Sequence, residues 1–254
     1  MKPYWTSPDR AFEVWNADTL RTLRHLRAME RRFRCVIMDP PYASGSRTET
    51  GKATSGAMVR GQRWADRPID CDQMTTTGFI WLMRETALEV RDMLGEGDSI
   101  FAFIDWRQWP NLVGAIESCN LRVNAMLVWD KLSFGMGNGF RAQHELILHA
   151  SKGTPRVCSS SFANVLRHKR DDTDNHPSPK PPSLIEDLLE VATMPGDDVL
   201  DPYMGGGPTL VAGERRGRRV TGIEGIREHC DTAISRLGAI TPEKAAEPCG
   251  PLFR

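Results

Sequence analysis

Apolar residues along this chain follow two alternating patterns. Short continuous runs, FEVW (12–15), RCVIM (34–38), SIFAFI (99–104), RVNAMLVW (122–129) and ELILH (145–149), are set between polar, Gly or Pro residues and predict buried strands; DDVL and RRVTGIE in the last third add two more. Between them, apolar residues recur every three or four positions. ADTLRTLRHLRAME puts Leu20, Leu23 and Leu26 on one helical face, and TTGFIWLMRETALEVRDML, QWPNLVGAIESC, SLIEDLLEVAT, LVAGERRG and REHCDTAISRL repeat that spacing. The helix over TTGFIWLMRETALEVRDML is expected to close at a Gly95-Glu-Gly97 turn. About seven strands alternating with helices predict an α/β fold, a mostly parallel sheet covered on both faces.

Two segments fit neither pattern. Residues 43–72 are rich in Gly, Ser and Thr and carry Arg47, Lys52, Arg60, Arg63 and Arg67, which predicts a long mobile loop; 151–182 is polar and irregular. The Pro-containing tail 238–254 is expected to be extended, leaving 1–237 as one domain. The 254 residues, 40% hydrophobic and 26% charged, are enough for one substantial core. Lys plus Arg equals Asp plus Glu at 33 each, so only local clustering can argue for nucleic acid. Six scattered cysteines without a CxxC pair suggest neither disulfides nor a zinc site. No apolar run approaches the roughly 18 residues of a membrane span, and MKPYWTSPDR lacks a signal-peptide core, so a soluble, cytoplasmic protein is expected.

Two strand ends carry loops that begin Asp-Pro, and open α/β sheets bind ligands beyond the carboxyl ends of their strands. In the later loop, DPYMGGGPT, Gly205, Gly206 and Gly207 let a ligand approach the backbone, while Pro208 suits a first helical turn. Glu224 ends the following strand, where an acidic side chain can grip ribose hydroxyls. These features point to a nucleoside-bearing cofactor; the competing reading is a tight turn with a surface glutamate. A dehydrogenase fits less well, because Leu210 stands at the third glycine position of the dinucleotide fingerprint.

The earlier loop is MDPPYASG (38–45). Residues before proline are pushed to extended conformations, and the carbonyls of Asp39 and Pro40 face prolines that have no N–H. A carboxylate beside such carbonyls can accept both hydrogens of an exocyclic amine, and Tyr42 offers a ring on which a base can stack. The alternative is a Pro-Pro turn with a capping aspartate.

The order of these motifs resembles that of the DNA amino-methyltransferases that use S-adenosylmethionine, in the permuted arrangement called the beta class. MDPPY precedes DPYMGGGPT; LVWDK and HELILHASKG are similar to the family's middle strands, HPSPKPPSLIEDLL to its helix entry beside the cofactor, and NAD (16–18) to its element near the cofactor's adenine. The likeness runs nearly to Leu237. It implies a Rossmann-like methyltransferase fold, S-adenosyl-L-methionine as cofactor, and double-stranded DNA with a flipped base as partner; relatives of this class are often homodimers. Asp39, Pro40, Pro41 and Tyr42 would be catalytic. Asp18, Asp39, Lys180, Ser183, Asp201, Tyr203, Gly205, Gly207 and Glu224 would border the cofactor. DNA contacts are expected from Arg47, Lys52, Arg60 and Arg63, and from Arg167, Lys169 and Arg170 in 151–178, the candidate target-recognition segment.

Gly206 and Pro208 depart from the family's small hydroxyl residue and threonine, which removes hydroxyl contacts to the cofactor. Asp at the first motif position is, in the family, more typical of adenine enzymes, so adenine N6 is the expected target. Cytosine N4, a DNA-recognition subunit with weakened catalysis, and an RNA substrate are the alternatives. Two other chemistries fit poorly. Pro248-Cys249, the pair that cytosine C5 methylation would need, lies in the tail; the histidines of HELILH are five apart on an expected strand, not four apart on a helix, and no metal is expected.

Overall fold

The computed structural model describes residues 1–42, 74–135, 138–159, 162–170 and 180–238. Every apolar run forms a strand and every periodic stretch a helix. In chain order the elements are β1 (Trp5–Thr6), β2 (Phe12–Asn16), α1 (Thr19–Ala28), β3 (Phe33–Met38), α2 (Thr76–Met93), β4 (Leu94–Ile104), α3 (Trp109–Glu117), β5 (Arg122–Asp130), β6 (His144–Ser151), β7 (Val165–Arg167), α4 (Pro182–Ala192), β8 (Asp198–Asp201), α5 (Pro208–Arg216), β9 (Arg219–Glu224) and α6 (Arg227–Gly238). The strands build one nine-stranded sheet in the order β1-β2-β9-β8-β3-β4-β6-β5-β7. Antiparallel pairing is confined to β1 on β2 and to β6, which lies between β4 and β5; the other neighbours are parallel.

Burial on both faces explains why the strands read as continuous apolar runs. Along β3, Val36 and Met38 join Leu23, Leu26, Phe79, Met83, Leu112 and Ile116 in a core beneath α1, α2 and α3. Cys35 and Ile37 point the other way, to a core with Leu184, Leu188, Leu210 and Ala233 from α4, α5 and α6. Local signals set the ends of these helices. The Asp18 carboxylate accepts the Arg21 N–H at the start of α1, and the Thr75 hydroxyl accepts the Gly78 N–H at the start of α2.

Three features differ from expectation. β1 and β7 are additional strands, of two and three residues, too short to leave a periodicity. The segment 151–178 is therefore not wholly irregular: Ser151 ends β6, and β7 pairs parallel to β5 at the sheet's edge. The Gly95-Glu-Gly97 turn is absorbed into β4, because the Asp98 carboxylate accepts the Gly95 N–H at 2.7 Å and Gly97, at φ 82°, bonds through its N–H to the Lys152 carbonyl. Of the segments expected to be mobile or extended, 43–72 and 239–254 lie outside the described residues.

β3 and β8 are neighbours, but the chain leaves β3 through α2 toward β4 on one side and leaves β8 through α5 toward β9 on the other. The crevice at their carboxyl ends is the sheet's topological switch point, and both Asp-Pro loops open onto it. No helix among the described residues is long and apolar enough to cross a membrane.

Candidate active site

Asp39 directly follows β3, with its side chain 31% exposed at the sheet edge. One carboxylate oxygen accepts the Tyr42 hydroxyl at 2.7 Å, and the other meets the Lys180 ammonium at 2.8 Å. Because β6 runs antiparallel, its first residues stand at the same edge. There Glu145 accepts from Tyr42 at 3.2 Å, lies 3.3 Å from Lys180, and pairs with Lys131 just beyond β5. Burial works to push the Glu145 carboxyl up, but the ammonium groups of Lys180 and Lys131 outweigh it and hold the group down at about 2. Lys180 shows the converse: burial pulls its ammonium down, and the Asp39 and Glu145 carboxylates more than restore it. Burial, reinforced by the same two carboxylates, raises the Tyr42 phenol well above its usual value. Tyr42 is half-buried where the two cores meet, with Lys180 5.4 Å from its ring centroid.

The second loop is built differently. Asp201, 3% exposed at the end of β8, accepts the Thr209 hydroxyl at 2.5 Å and the Tyr203 N–H at 3.1 Å. Burial pushes its carboxyl up to about 7 against those two hydrogen bonds, with Asp39 and Glu224 adding to the rise. Glu224 clamps the glycine loop to the end of β9: its carboxylate accepts the Gly205 N–H at 2.9 Å and the Ile226 N–H at 2.8 Å. Burial again pushes upward, but His229 and these two N–H groups bring Glu224 below its usual range. Gly207 takes φ 78° as the N-cap of α5, and a Cβ there would lie 2.5 Å from Ala233 Cβ, so both backbone and packing require glycine.

The remaining expected residues distribute around this crevice. Asp18, exposed after β2, stays near the Glu224 end because the Ala17 N–H and the Asn16 side chain both bond the Glu224 carbonyl. The Tyr203 hydroxyl bonds Thr86 of α2 at 2.7 Å. The Ser183 hydroxyl lies 2.9 Å from His168, whose other ring nitrogen lies 2.7 Å from Asp187. Arg167, Lys169 and Arg170 are exposed at and just beyond the end of β7, on the same edge of the sheet; Arg47, Lys52, Arg60 and Arg63 lie outside the described residues. Lys180 therefore stands with Asp39 and Tyr42, and Glu145 and Lys131, outside the expected site residues, join them. Their signal was a charged residue abutting an apolar run at a strand end, in HELILH and VWDK. Among the described residues no cluster of His, Cys, Asp or Glu could hold a metal ion.

Comparison with known proteins bears on the family and the fold. The protein YubD of Escherichia coli (strain K12), named as a methylase, is 27% identical over 205 residues, which cover 81% of this chain and 82% of that protein. The structure of M1.HpyAVI in complex with SAM superposes with a TM-score of 0.66 at 20% identity over 89% of this chain and 99% of that one. PvuII DNA methyltransferase, described as cytosine-N4-specific, gives 0.69 at 15% identity over 96% and 92%. At those identities the two structures establish the fold alone. The DNA methylase family model N6_N4_Mtase matches residues 33–235, most of the chain and both Asp-Pro loops, and the protein belongs to that family.

Proposed function

We propose that this family member transfers a methyl group from S-adenosylmethionine to the exocyclic amine of a base flipped out of double-stranded DNA, and that the base is adenine, modified at N6. The observation that carries the reading is the Asp39 carboxylate, held by Lys180 and Tyr42 at the carboxyl end of β3 in the crevice that also receives the β8 loop.

The residues present fit the cofactor. Asp39, Asp201 and Glu224 lie close enough that the first and last raise the carboxyl of the second, so the crevice concentrates negative charge where a sulfonium cation would be welcome. Glu224 has both oxygens fixed by backbone N–H groups and retains lone pairs for ribose hydroxyls. S-adenosylmethionine supplies an electrophilic methyl group when bound. The task left to the chain is to place an amine in line with it, a positioning effect that can be worth about 7–11 kcal/mol.

Flipping the base costs a few kcal/mol, part of which stacking against the Tyr42 ring can offset. Asp39 accepts an amine hydrogen, turns the nitrogen lone pair toward the cofactor, and stands ready for the proton that the nitrogen sheds. Arg167, Lys169 and Arg170, exposed on the same edge, are suited to backbone phosphates. Support for adenine comes from the aspartate at the first motif position.

The test is incubation with methyl-labelled cofactor and, in separate reactions, unmodified DNA or RNA, followed by digestion to nucleosides. N6-methyladenine is expected. Label on cytosine N4 would overturn the choice of base, while label on a carbon atom, or only on RNA, would overturn the reaction.

A further inference from the structure

Lys180 is expected from the sequence to border the cofactor, but its surroundings give it another task. It is 4% exposed. Its ammonium lies 2.8 Å from Asp39 and 3.3 Å from Glu145, with the Tyr42 and Phe103 ring centroids each at 5.4 Å. A group so enclosed offers almost no surface to a ligand. Instead its two carboxylate partners are themselves joined by the Tyr42 hydroxyl, which reaches Asp39 at 2.7 Å and Glu145 at 3.2 Å, and Lys131 closes the far side of Glu145.

We propose that Lys180 is a positioning residue: together with Glu145, Lys131 and the Tyr42 hydroxyl, it fixes the Asp39 carboxylate in the orientation that receives the target amine. The inference rests on reading Asp39 as the amine's acceptor. The physics of the cluster is charge balance. Two ammonium groups match two carboxylates among these residues, and removing one member of a buried, paired set leaves an uncompensated charge. Each Asp39 oxygen has its own partner, so rotation of the carboxylate would break one of two charge-assisted or hydroxyl hydrogen bonds. The cluster ties β3, the β5–β6 pair and the approach to α4 together at the point where the chemistry needs rigidity.

The experiment compares wild type, Lys180→Met and the double variant Lys180→Met/Glu145→Gln. The groups facing Lys180 and its partners are Asp39 and Tyr42 after β3, Lys131 after β5, Glu145 on β6, Arg170 after β7 and Asp201 on β8. In Lys180→Met, kcat should fall about 100-fold while cofactor affinity stays close to wild type, as expected when a reacting group is misplaced by about an ångström. The Glu145 carboxyl should also titrate at higher pH, because Lys180 is one of the two ammonium groups that hold it down.

The double variant leaves one carboxylate, Asp39, and one ammonium, Lys131, so the cluster's net charge balances again and the comparison stays usable if the single variant fails to fold. Its kcat should stay low, because Asp39 still lacks the Lys180 ammonium. Carboxyl ¹³C titration of Asp and Glu in the ligand-free proteins reads the same cluster without any activity. Should wild type methylate no amine, the functional reading fails, and the titration still decides whether Lys180 holds the carboxylates of the cluster. An unchanged carboxyl titration in Lys180→Met, or a loss seen only as weaker cofactor binding, would overturn it.

Discussion

Asp39 and Asp201 begin the same dipeptide at the carboxyl ends of adjacent parallel strands, and their surroundings set them apart. Asp39 is partly open to the crevice and anchored by a buried lysine; Asp201 is closed in and bonded by the Thr209 hydroxyl and the N–H of its own loop. Position on the sheet gives both the same address. Partners decide what each can do: a lysine keeps the first available as an acceptor, whereas burial lifts the second to about 7 and turns it into a latch between β8 and α5. The charge cluster around Asp39 and the low-dielectric seat of Asp201 are two solutions to placing carboxylates in one crevice.

The largest effect expected from breaking this contrast is at Asp39. Asp39→Asn keeps the side-chain shape but lacks the charge that Lys180 pairs with, and single-turnover methyl transfer should fall by at least about 100-fold, the scale for removing one preorganised group. Cofactor binding, followed by calorimetry, should be little changed.

Asp201→Asn should act on stability and reverse with pH. A carboxyl raised from 3.8 in the unfolded chain to about 7 in the fold contributes stability that is fully present below 3.8 and lost as pH rises through 7. The asparagine variant has no such loss, so it should gain on wild type between pH 5 and pH 8, with a Tm difference that widens by about 2–4 °C per kcal/mol. Glu145, held down at about 2 from 4.5, carries the opposite sign: its stabilisation is present above 4.5 and lost as pH falls through 2. Acid should therefore weaken the Asp39 side of the crevice, and base the Asp201 side. Thermal unfolding of the Asp201→Asn and Glu145→Gln variants across pH 3–8 checks both signs.

A smaller effect sharpens the comparison further. A sulfonium cation bound beside Asp201 favours its ionised form, so binding near pH 7 should release a fraction of a proton. S-adenosylhomocysteine, which lacks the sulfonium charge, should release less, and Asp201→Asn should remove the difference. Calorimetry in two buffers of unlike ionisation enthalpy measures it.

Much of this architecture was legible because local rules and tertiary placement agree. Cys35 and Ile37 alternate with Val36 and Met38 to face two cores, and that double burial is why RCVIM reads as an unbroken apolar run. The two Asp-Pro loops could be located because each follows such a run. The Lys131–Glu145 pairing was not legible: it depends on β6 turning antiparallel between β4 and β5, and nothing in the period of ELILH tells which neighbours it takes or in which direction. Lys180 is legible through its motif, but its burial between two carboxylates is a tertiary fact. β1 and β7, at two and three residues, are defined by pairing and not by pattern.

The central claim is that Asp39 performs the chemistry while Asp201 shapes the seat of the cofactor. It is tested most directly by loading Asp39→Asn and Asp201→Asn with methyl-labelled cofactor at saturating concentration, adding DNA, and following a single turnover. The account predicts that Asp39→Asn holds its label and does not transfer it, whereas Asp201→Asn, once loaded, transfers at a rate near wild type. Transfer by the loaded Asp39 variant at the wild-type rate, or its loss only in the Asp201 variant, would contradict the account.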